Sequence, residues 1–595
     1  MADNKGTEEE QKPAAFPAPE TGDEKPEHQH GPVEISEHPD KKPALKRFGH
    51  WFMAWRKWTI PGTVILLLAL LAIIPATRYA LAGTVLKQNF KVQVVDSQTG
   101  KPVTAATVRL KGKQVTTDNQ GVATVRVSVG GGELAVSKQY YTTKNGSVTV
   151  PIGKQSKPEQ VQLVATGRQV PIKLVNKISG KPVTDAVITA ADTQVRTDKQ
   201  GEATMVLPAG MTEQKGVISA KGYNKLDTAI KVTTDASANK FQLTPSGKIY
   251  FLSNKTGKID VVKTDLDGSN RATVLAGTGK EDSYNTVLLA STDWKYLALL
   301  SKRDGGEYAK LFLIDTSNDQ LTVMDEGAAN FTLMGWSGHH FAYRVDRANY
   351  DSWKPKHQAI KSYNAEKKSI AVIDETEGSG ANQYEFVRQY YSYTALSDEI
   401  YWTEDWNWGF YSTPGDGQRS TLSAAKPDGS NKRIVHDFGP SKDVSVSNMR
   451  PYDVQGLYVD AFNRQTQKHH FFEYENGKLE ENKSLTLDNF YADYYTYLVS
   501  PSAKQTFWAA DRDGKNSLFQ GDAKGENGKE FAALTEYNSY GWYTDDYLLV
   551  SKKGSELYIL PAGQDLKDKD AVLKVTDYYR QGQSFRGYGG GYGGL

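Results

Sequence analysis

The chain is predicted to be all-β over most of its 595 residues, as two small β-sandwiches and a β-propeller of about seven blades, with one N-terminal transmembrane helix. Three observations predict this. Residues 59–77 form an apolar run without a charge, residues 88–247 repeat at an offset of 80, and a hairpin grammar recurs loosely every 40 to 50 residues from 248 to 577.

Composition narrows the function classes first. The formal net charge of +2 argues against a dedicated nucleic-acid binder, which carries a basic excess. With 38% hydrophobic and 24% charged residues, the balance is unlike that of a multispan membrane protein. No cysteine is present, which removes disulfides, zinc–thiolate sites, iron–sulfur clusters and cysteine nucleophiles.

From the N-terminus, residues 1–40 hold eleven acids against three bases and almost no large apolar side chains. Such a segment cannot offset its ordering entropy and is expected to be a disordered cytoplasmic arm. Residues 41–58 reverse the sign, with Lys41, Lys42, Lys46, Arg47, Arg56 and Lys57 interleaved with Trp51, Trp55 and Trp58. A basic, Trp-bearing collar suits the headgroup side of a spanning helix. The helix is placed at 59–82: nineteen uncharged residues rise about 28 Å, close to the roughly 30 Å hydrocarbon core. Positive charge before the run orients the N-terminus to the cytoplasm and the later domains outside, so the expected location is the cell membrane, single-pass. Ala80-Leu81-Ala82 also fits a signal-peptidase site; retained anchor and cleavage both export the chain beyond Gly83.

The repeat is specific. Gly100-Lys101-Pro102-Val103-Thr104 returns as Gly180-Lys181-Pro182-Val183-Thr184, and Thr117-Asp118 with Gln120-Gly121 returns as Thr197-Asp198 with Gln200-Gly201. Period-two runs such as Phe90, Val92, Val94 and Val170, Ile172, Leu174 mark half-buried strands. Gly and Pro at the turns close antiparallel hairpins. Two units result, 88–167 and 168–247. This pattern resembles the carboxypeptidase-regulatory-like (transthyretin-like) domain. The resemblance implies spacer or adhesive modules on secreted and cell-surface proteins, with no catalytic residues.

Between 248 and 577, strands alternate with turns such as Asp265-Leu266-Asp267-Gly268-Ser269-Asn270, echoed at Asp428-Gly429-Ser430-Asn431. Units open near Ile249, Val287, Phe331, Tyr384, Asp453, Tyr495 and Tyr540, which suggests seven blades, with six or eight left open. The grammar is similar to TolB-type and dipeptidyl-peptidase-IV-type propellers. In the latter a peptidase domain accompanies the propeller, whereas here only a Gly/Tyr-rich tail, 578–595, is expected to remain.

Motifs for chemistry are few. Asp265–Asn270 lacks the third oxygen ligand and the later Glu of a calcium loop, so a turn is expected. His339-His340 and His469-His470 are adjacent pairs that point to opposite faces of a strand and cannot chelate one ion. No nucleophile elbow, Walker loop or H-E-x-x-H motif occurs, and no catalytic residue, metal or cofactor is expected. One anomaly stands out: eleven aromatics lie between Tyr384 and Tyr411, in a chain that is 11% aromatic overall. Part of them, Tyr401 and Trp402 included, suits blade packing, and so does a second cluster around Phe490. Trp406, Asn407, Trp408, Phe410 and Tyr411 read as an exposed loop whose rings and polar groups can stack on sugars or anchor a protein surface.

The expected function is a membrane-anchored cell-surface binding or adhesion protein, displaying a propeller on a sandwich stalk to bind protein or glycan. The expected partners are the bilayer through 59–82 and an extracellular protein or glycan, with no nucleic acid. An envelope scaffold or sensor subunit and an enzyme acting on envelope polymers stand as alternatives.

Overall fold

The computed structural model describes residues 61–66, 69 and 75–580, apart from 349–350, 352–353, 378–386, 397, 408–412, 452–455, 488–489, 491–497, 513–514, 524, 526, 532–533 and 566–571. Two compact units divide the chain, residues 1–85 and residues 86–595.

In the first unit, residues 61–66 are helical and a helix spans Pro75–Val85. Among the described residues the predicted transmembrane helix over 59–82 is not found. At 1.5 Å per residue the 11-residue Pro75–Val85 helix rises only about 16 Å, half the hydrocarbon thickness. Among the described residues no helix is long and apolar enough to cross a membrane. The finding overturns the membrane helix in the expected fold class and the single-pass, N-inside localisation drawn from it. Residues 1–60, with the acidic arm and the Trp collar, lie outside the described residues.

In the second unit, the two sequence repeats adopt the same strand plan. In the first, Lys87–Asp96 lies between antiparallel Val122–Ser128 and parallel Glu159–Leu163. A four-stranded sheet runs Lys113–Thr116, Thr107–Leu110, Gly130–Ser137, Lys144–Val150. In the second, Arg168–Asn176 sits between Glu202–Leu207 and Lys240–Leu243, and the four-stranded sheet runs Thr193–Arg196, Val187–Ala190, Glu213–Ser219, Leu226–Lys231. Alternation builds the core: Val170, Ile172 and Leu174 are buried against Ile188, Val195 and Ile218, each contributing about 1.5–3 kcal/mol.

The repeated polar residues explain why the motif recurs. Thr117 Oγ donates to the Val103 carbonyl at 2.7 Å and accepts from Ala106 N at 2.9 Å; Thr197 does the same to Val183 and from Ala186. Asp118 and Asp198 each accept two backbone N–H groups across their turns. Gly121 and Gly201 close those turns at φ +69° and +71°, where a Cβ would collide with the Val94 and Leu174 carbonyls.

Among the described residues seven antiparallel sheets come next in the chain, each of consecutive strands. Their first strands are Ile249–Ser253, Val287–Ala290, Ala329–Ser337, Val387–Leu396, Val444–Pro451, Leu498–Val499 and Asn538–Thr544. Apolar clusters join most neighbouring blades. Tyr250, Leu252 and Leu299 join the first blade to the second, Leu313, Phe331 and Tyr343 the second to the third, and Met334, Ile360, Tyr390 and Trp402 the third to the fourth. Ile249, Phe251, Leu549 and Ile559 then pack the last blade against the first, which makes the arrangement a ring, a β-propeller. The first blade has only three strands, and Arg580 pairs with Leu252 on its open inner edge, supplying the missing position. Two boundaries therefore differ from expectation. The inner strand of the fifth blade starts at Val444 rather than near Asp453, and the closing segment reaches Arg580, inside the expected tail.

Antiparallel blades place the hairpins between first and second and between third and fourth strands at one end of the ring, and blade-to-blade crossings at the other. The second sandwich docks on the hairpin end. Asn176 Nδ2 donates to Tyr547 Oη at 2.7 Å, Lys177 meets Asp267 at 2.6 Å, and Gln564 donates to the Ser179 carbonyl at 3.2 Å. Ile178 enters the closing core of the propeller, and Gly247 passes so near Tyr543 that a Cβ would overlap its hydroxyl.

At the same end His339 links two blades. Its Nε2 is 2.9 Å from Asp293 in the second blade and its Nδ1 2.6 Å from Glu366 in the third. Asp293 foremost, then Glu366, raises the His339 pKa above the usual 6.5 although burial opposes it. A raised folded-state pKa means the link is fully present below pH 6.5 and is lost as pH rises through the higher folded value. The melting temperature of wild type is therefore expected to fall across that window relative to His339→Gln. Parallel pH profiles of the two proteins would show His339 to be a bystander.

Candidate functional site

Between the third and fourth blades, at the crossing end and so away from the docked sandwich, lies a cleft of about 460 Å³. Strand parity builds it. Along Glu399–Asn407, Ile400 and Trp402 pack into the core shared with the third blade, so Glu404 and Trp406 continue that face outward. Along Arg419–Ala425 the matching face offers Arg419, Thr421 and Ser423, and Lys432, Arg433 and Ile434 complete the wall.

Its floor is charged and paired. Arg388 donates to Asp374 at 2.6 Å and to Glu404 at 2.9 Å, Thr421 Oγ donates to Glu404 at 2.7 Å, and Lys432 also holds Asp374. Burial works against the Arg388 charge, but Glu404 and Asp374 outweigh it and hold the guanidinium above its ordinary pKa. At the crossing end Arg419 Nε donates to both Asp437 carboxylate oxygens, at 3.0 and 2.9 Å, while Arg433 turns away to Glu399 at 2.6 Å, on the face toward the fifth blade. Among the described residues these four cations all have carboxylate partners, so the cleft presents hydroxyls, guanidinium edges and one indole rather than a field of one sign.

The structure divides the aromatic cluster. Tyr390, Tyr393, Tyr401 and Trp402 are buried, Trp402 completely, and pack between blades. Trp406 is half-buried and lines the cleft. Trp406 and Asn407 belong to the strand Glu399–Asn407 rather than to a loop, because Asp405, which reads as a breaker, is buried and bonded. Its carboxylate accepts from Ser420 Oγ at 2.7 Å and from Trp406 N at 2.8 Å. Trp408, Phe410 and Tyr411 lie outside the described residues, and so do Tyr384 and Phe386. Arg388, Glu404 and Arg419 escaped sequence reasoning, since their shared face emerges only once the strand register is known. Phe490, in the second cluster, is buried and stacks on Phe471 at 5.1 Å.

In the Asp265–Asn270 loop both carboxylates are paired with ammonium groups. Lys248 pairs with Asp265 and Lys177 with Asp267. Burial alone would raise the Asp267 carboxyl, but hydrogen bonds from Lys177, Ser269 and Thr244 keep it well below the usual carboxylate range. His469 and His470 each face a different carboxylate, Asp460 and Glu481. Among the described residues no group of three or more His, Asp or Glu is placed to hold a metal ion.

No family model matches the chain, and no curated protein matches it. Among solved structures it is similar to the β-propeller domain of the trilobed protease from Pyrococcus furiosus, at 13% identity and a TM-score of 0.28 over 48% of this chain and 83% of that one. It is also similar to TolB from Acinetobacter baumannii, at 11% identity and a TM-score of 0.26 over 53% and 77%. A third similarity is to dipeptidyl peptidase 4 from Porphyromonas gingivalis, at 12% identity and a TM-score of 0.29 over 53% of this chain and half of that one. The propeller assignment rests on the strand order and ring closure described above.

Proposed function

We propose that this chain is a binding protein that takes a protein or glycan surface into the cleft between its third and fourth propeller blades. The observation that carries the reading is Trp406: a large indole left half-buried at the mouth of a cleft, beside Thr421 and Ser423, on the end of the ring that the sandwich leaves uncovered. An aromatic face among paired charges and hydroxyls suits an amphipathic surface, with the indole as anchor and the polar wall setting orientation. Asn407, Trp408, Phe410 and Tyr411 are proposed to extend that contact. The two sandwiches act as an adhesive or spacer stalk in this reading, in keeping with the carboxypeptidase-regulatory-like pattern of their repeats.

A binder is favoured over a catalyst because Arg388, Arg419, Lys432 and Arg433 each pair with a carboxylate rather than point at the centre of the cleft. Glycan arrays and cell-binding assays with the full chain test the proposal. Trp406→Ala is expected to weaken retention by about tenfold or more, as loss of an aromatic anchor does, with the thermal transition little changed. Absence of retention on every array and cell type would sink the binding reading. A large fall in melting temperature would instead make Trp406 a packing residue.

A further inference from the structure

The same pair of blades holds a second cleft at the opposite, hairpin end, about 660 Å³ in volume, within the range of small-ligand pockets. Four hairpins surround it: Gly338 and Lys367 lie on those of the third blade, Asp398 and Lys426 to Asp428 on those of the fourth. The gap exists because the third blade's facing side chains turn small here. Ile360 and Ile373 fill the interface deeper in, but the next positions are Ser362 opposite Ala371 and Asn364 opposite Ser369.

Ser362 is the unusual member. Its residue is fully buried, it lines the cleft, and its Oγ has no hydrogen-bond partner. Leaving a buried hydroxyl unpaired costs about 1–3 kcal/mol, and an apolar residue there would avoid that cost. A polar ligand seated in the cleft would provide the missing partner. Other polar groups line the wall. Asn364 bonds His340 Nε2 at 2.9 Å, and burial lowers the His340 pKa, so the ring is a neutral hydrogen-bonding group at neutral pH. Lys367 and Lys426 make no ion pair among the described residues; Asp398 lies on one hairpin of the fourth blade, and Asp428 shares the other with Lys426. Two lysines and two aspartates cancel, so neither an anion nor a cation is favoured over a neutral ligand.

We propose that this cleft binds a small neutral saccharide, a mono- or disaccharide, with Ser362 as the hydrogen-bonding floor and Asn364, Lys426 and Asp398 on its hydroxyls. Carboxylate, amide and ammonium groups can each span neighbouring hydroxyls of a sugar ring, and the volume admits one or two rings. The site is separate from the Trp406 cleft and stands or falls without it.

The test uses the full chain with glucose, N-acetylglucosamine, cellobiose and chitobiose at millimolar concentration, read by calorimetry and thermal shift, with inorganic phosphate as the charged comparison. At least one sugar is expected to bind and raise the melting temperature. Ser362→Ala is expected to weaken that sugar about tenfold while leaving the unliganded melting temperature unchanged or higher, because an unpaired hydroxyl is removed. Ser369→Leu, at an exposed position on the wall, is expected to abolish binding by filling the cleft. Trp406→Ala is expected to leave it unchanged. The proposal is overturned if none of the four sugars binds, if phosphate binds in their place, or if a sugar binds Ser362→Ala as well as wild type.

Discussion

Replacing Arg388 by Met is expected to destabilise the propeller by about 3–5 kcal/mol, the usual result of stripping one partner from a buried ion network. The side chains of Asp374 and Glu404 are 5% and 11% exposed, so neither carboxylate regains much water when the guanidinium goes. Lys432 still reaches Asp374, which places the loss toward the lower end of that range. Glu404 keeps the Thr421 hydroxyl but no described cation. The penalty comes from the stranded charges rather than from the lost attraction, so neutralising them should recover much of it. The triple variant Arg388→Met, Asp374→Asn, Glu404→Gln is therefore expected to regain most of the stability lost by the single one. Denaturant unfolding monitored by tryptophan fluorescence reads both. A single variant as stable as wild type would mean that the network is solvated in solution and that the cleft floor is not fixed by it.

How much of the fold and site is legible in the sequence depends on the range of the interactions. The tandem repeat is legible because its signals are local: a Thr that ties two backbone groups across one turn, an Asp that caps the next, a Gly at positive φ. All three recur with their spacing intact. The blade grammar is legible for the same reason, since each hairpin closes on its own turn residues. The inner strand Val444–Pro451 is not, because its Val-Ser-Val-Ser alternation stops after four residues, and a register shift between Val446 and Asn448 in its pairing with Leu457–Asn463 breaks the period. The charge network is invisible: Arg388 meets a carboxylate 14 residues back on another blade and one 16 residues ahead on its own. The membrane helix failed for a different reason. Hydropathy reports only that 59–77 is apolar, and the described helix Pro75–Val85 at its end is too short to span. The aromatic cluster misled halfway, because four of its rings are core and only register separates those from Trp406.

The second large effect is expected at the seam of the ring. Tyr579→Ala should cost about 3–5 kcal/mol, the range for removing a buried aromatic side chain. Tyr579 is 2% exposed and meets Phe251 of the first blade edge-on at 6.4 Å and Tyr540 of the last at 5.2 Å, so one ring joins both sides of the closure. Beside it the Arg580 N–H donates to the Leu252 carbonyl at 2.9 Å and covers the inner edge of a blade that has only three strands of its own. Ending the chain after Asp577 removes ring and pairing together. That truncation is expected to lose more stability than Tyr579→Ala and also to associate, because an uncovered strand edge recruits other chains. Tyr579→Phe separates packing from polarity: it keeps the ring and drops only the hydroxyl, and should stay within about 1 kcal/mol of wild type. Calorimetry with light scattering distinguishes these outcomes. If the truncated chain melts with wild type and stays monomeric, the seam is held by the Phe251, Leu549 and Ile559 core alone and the last residues are dispensable to closure.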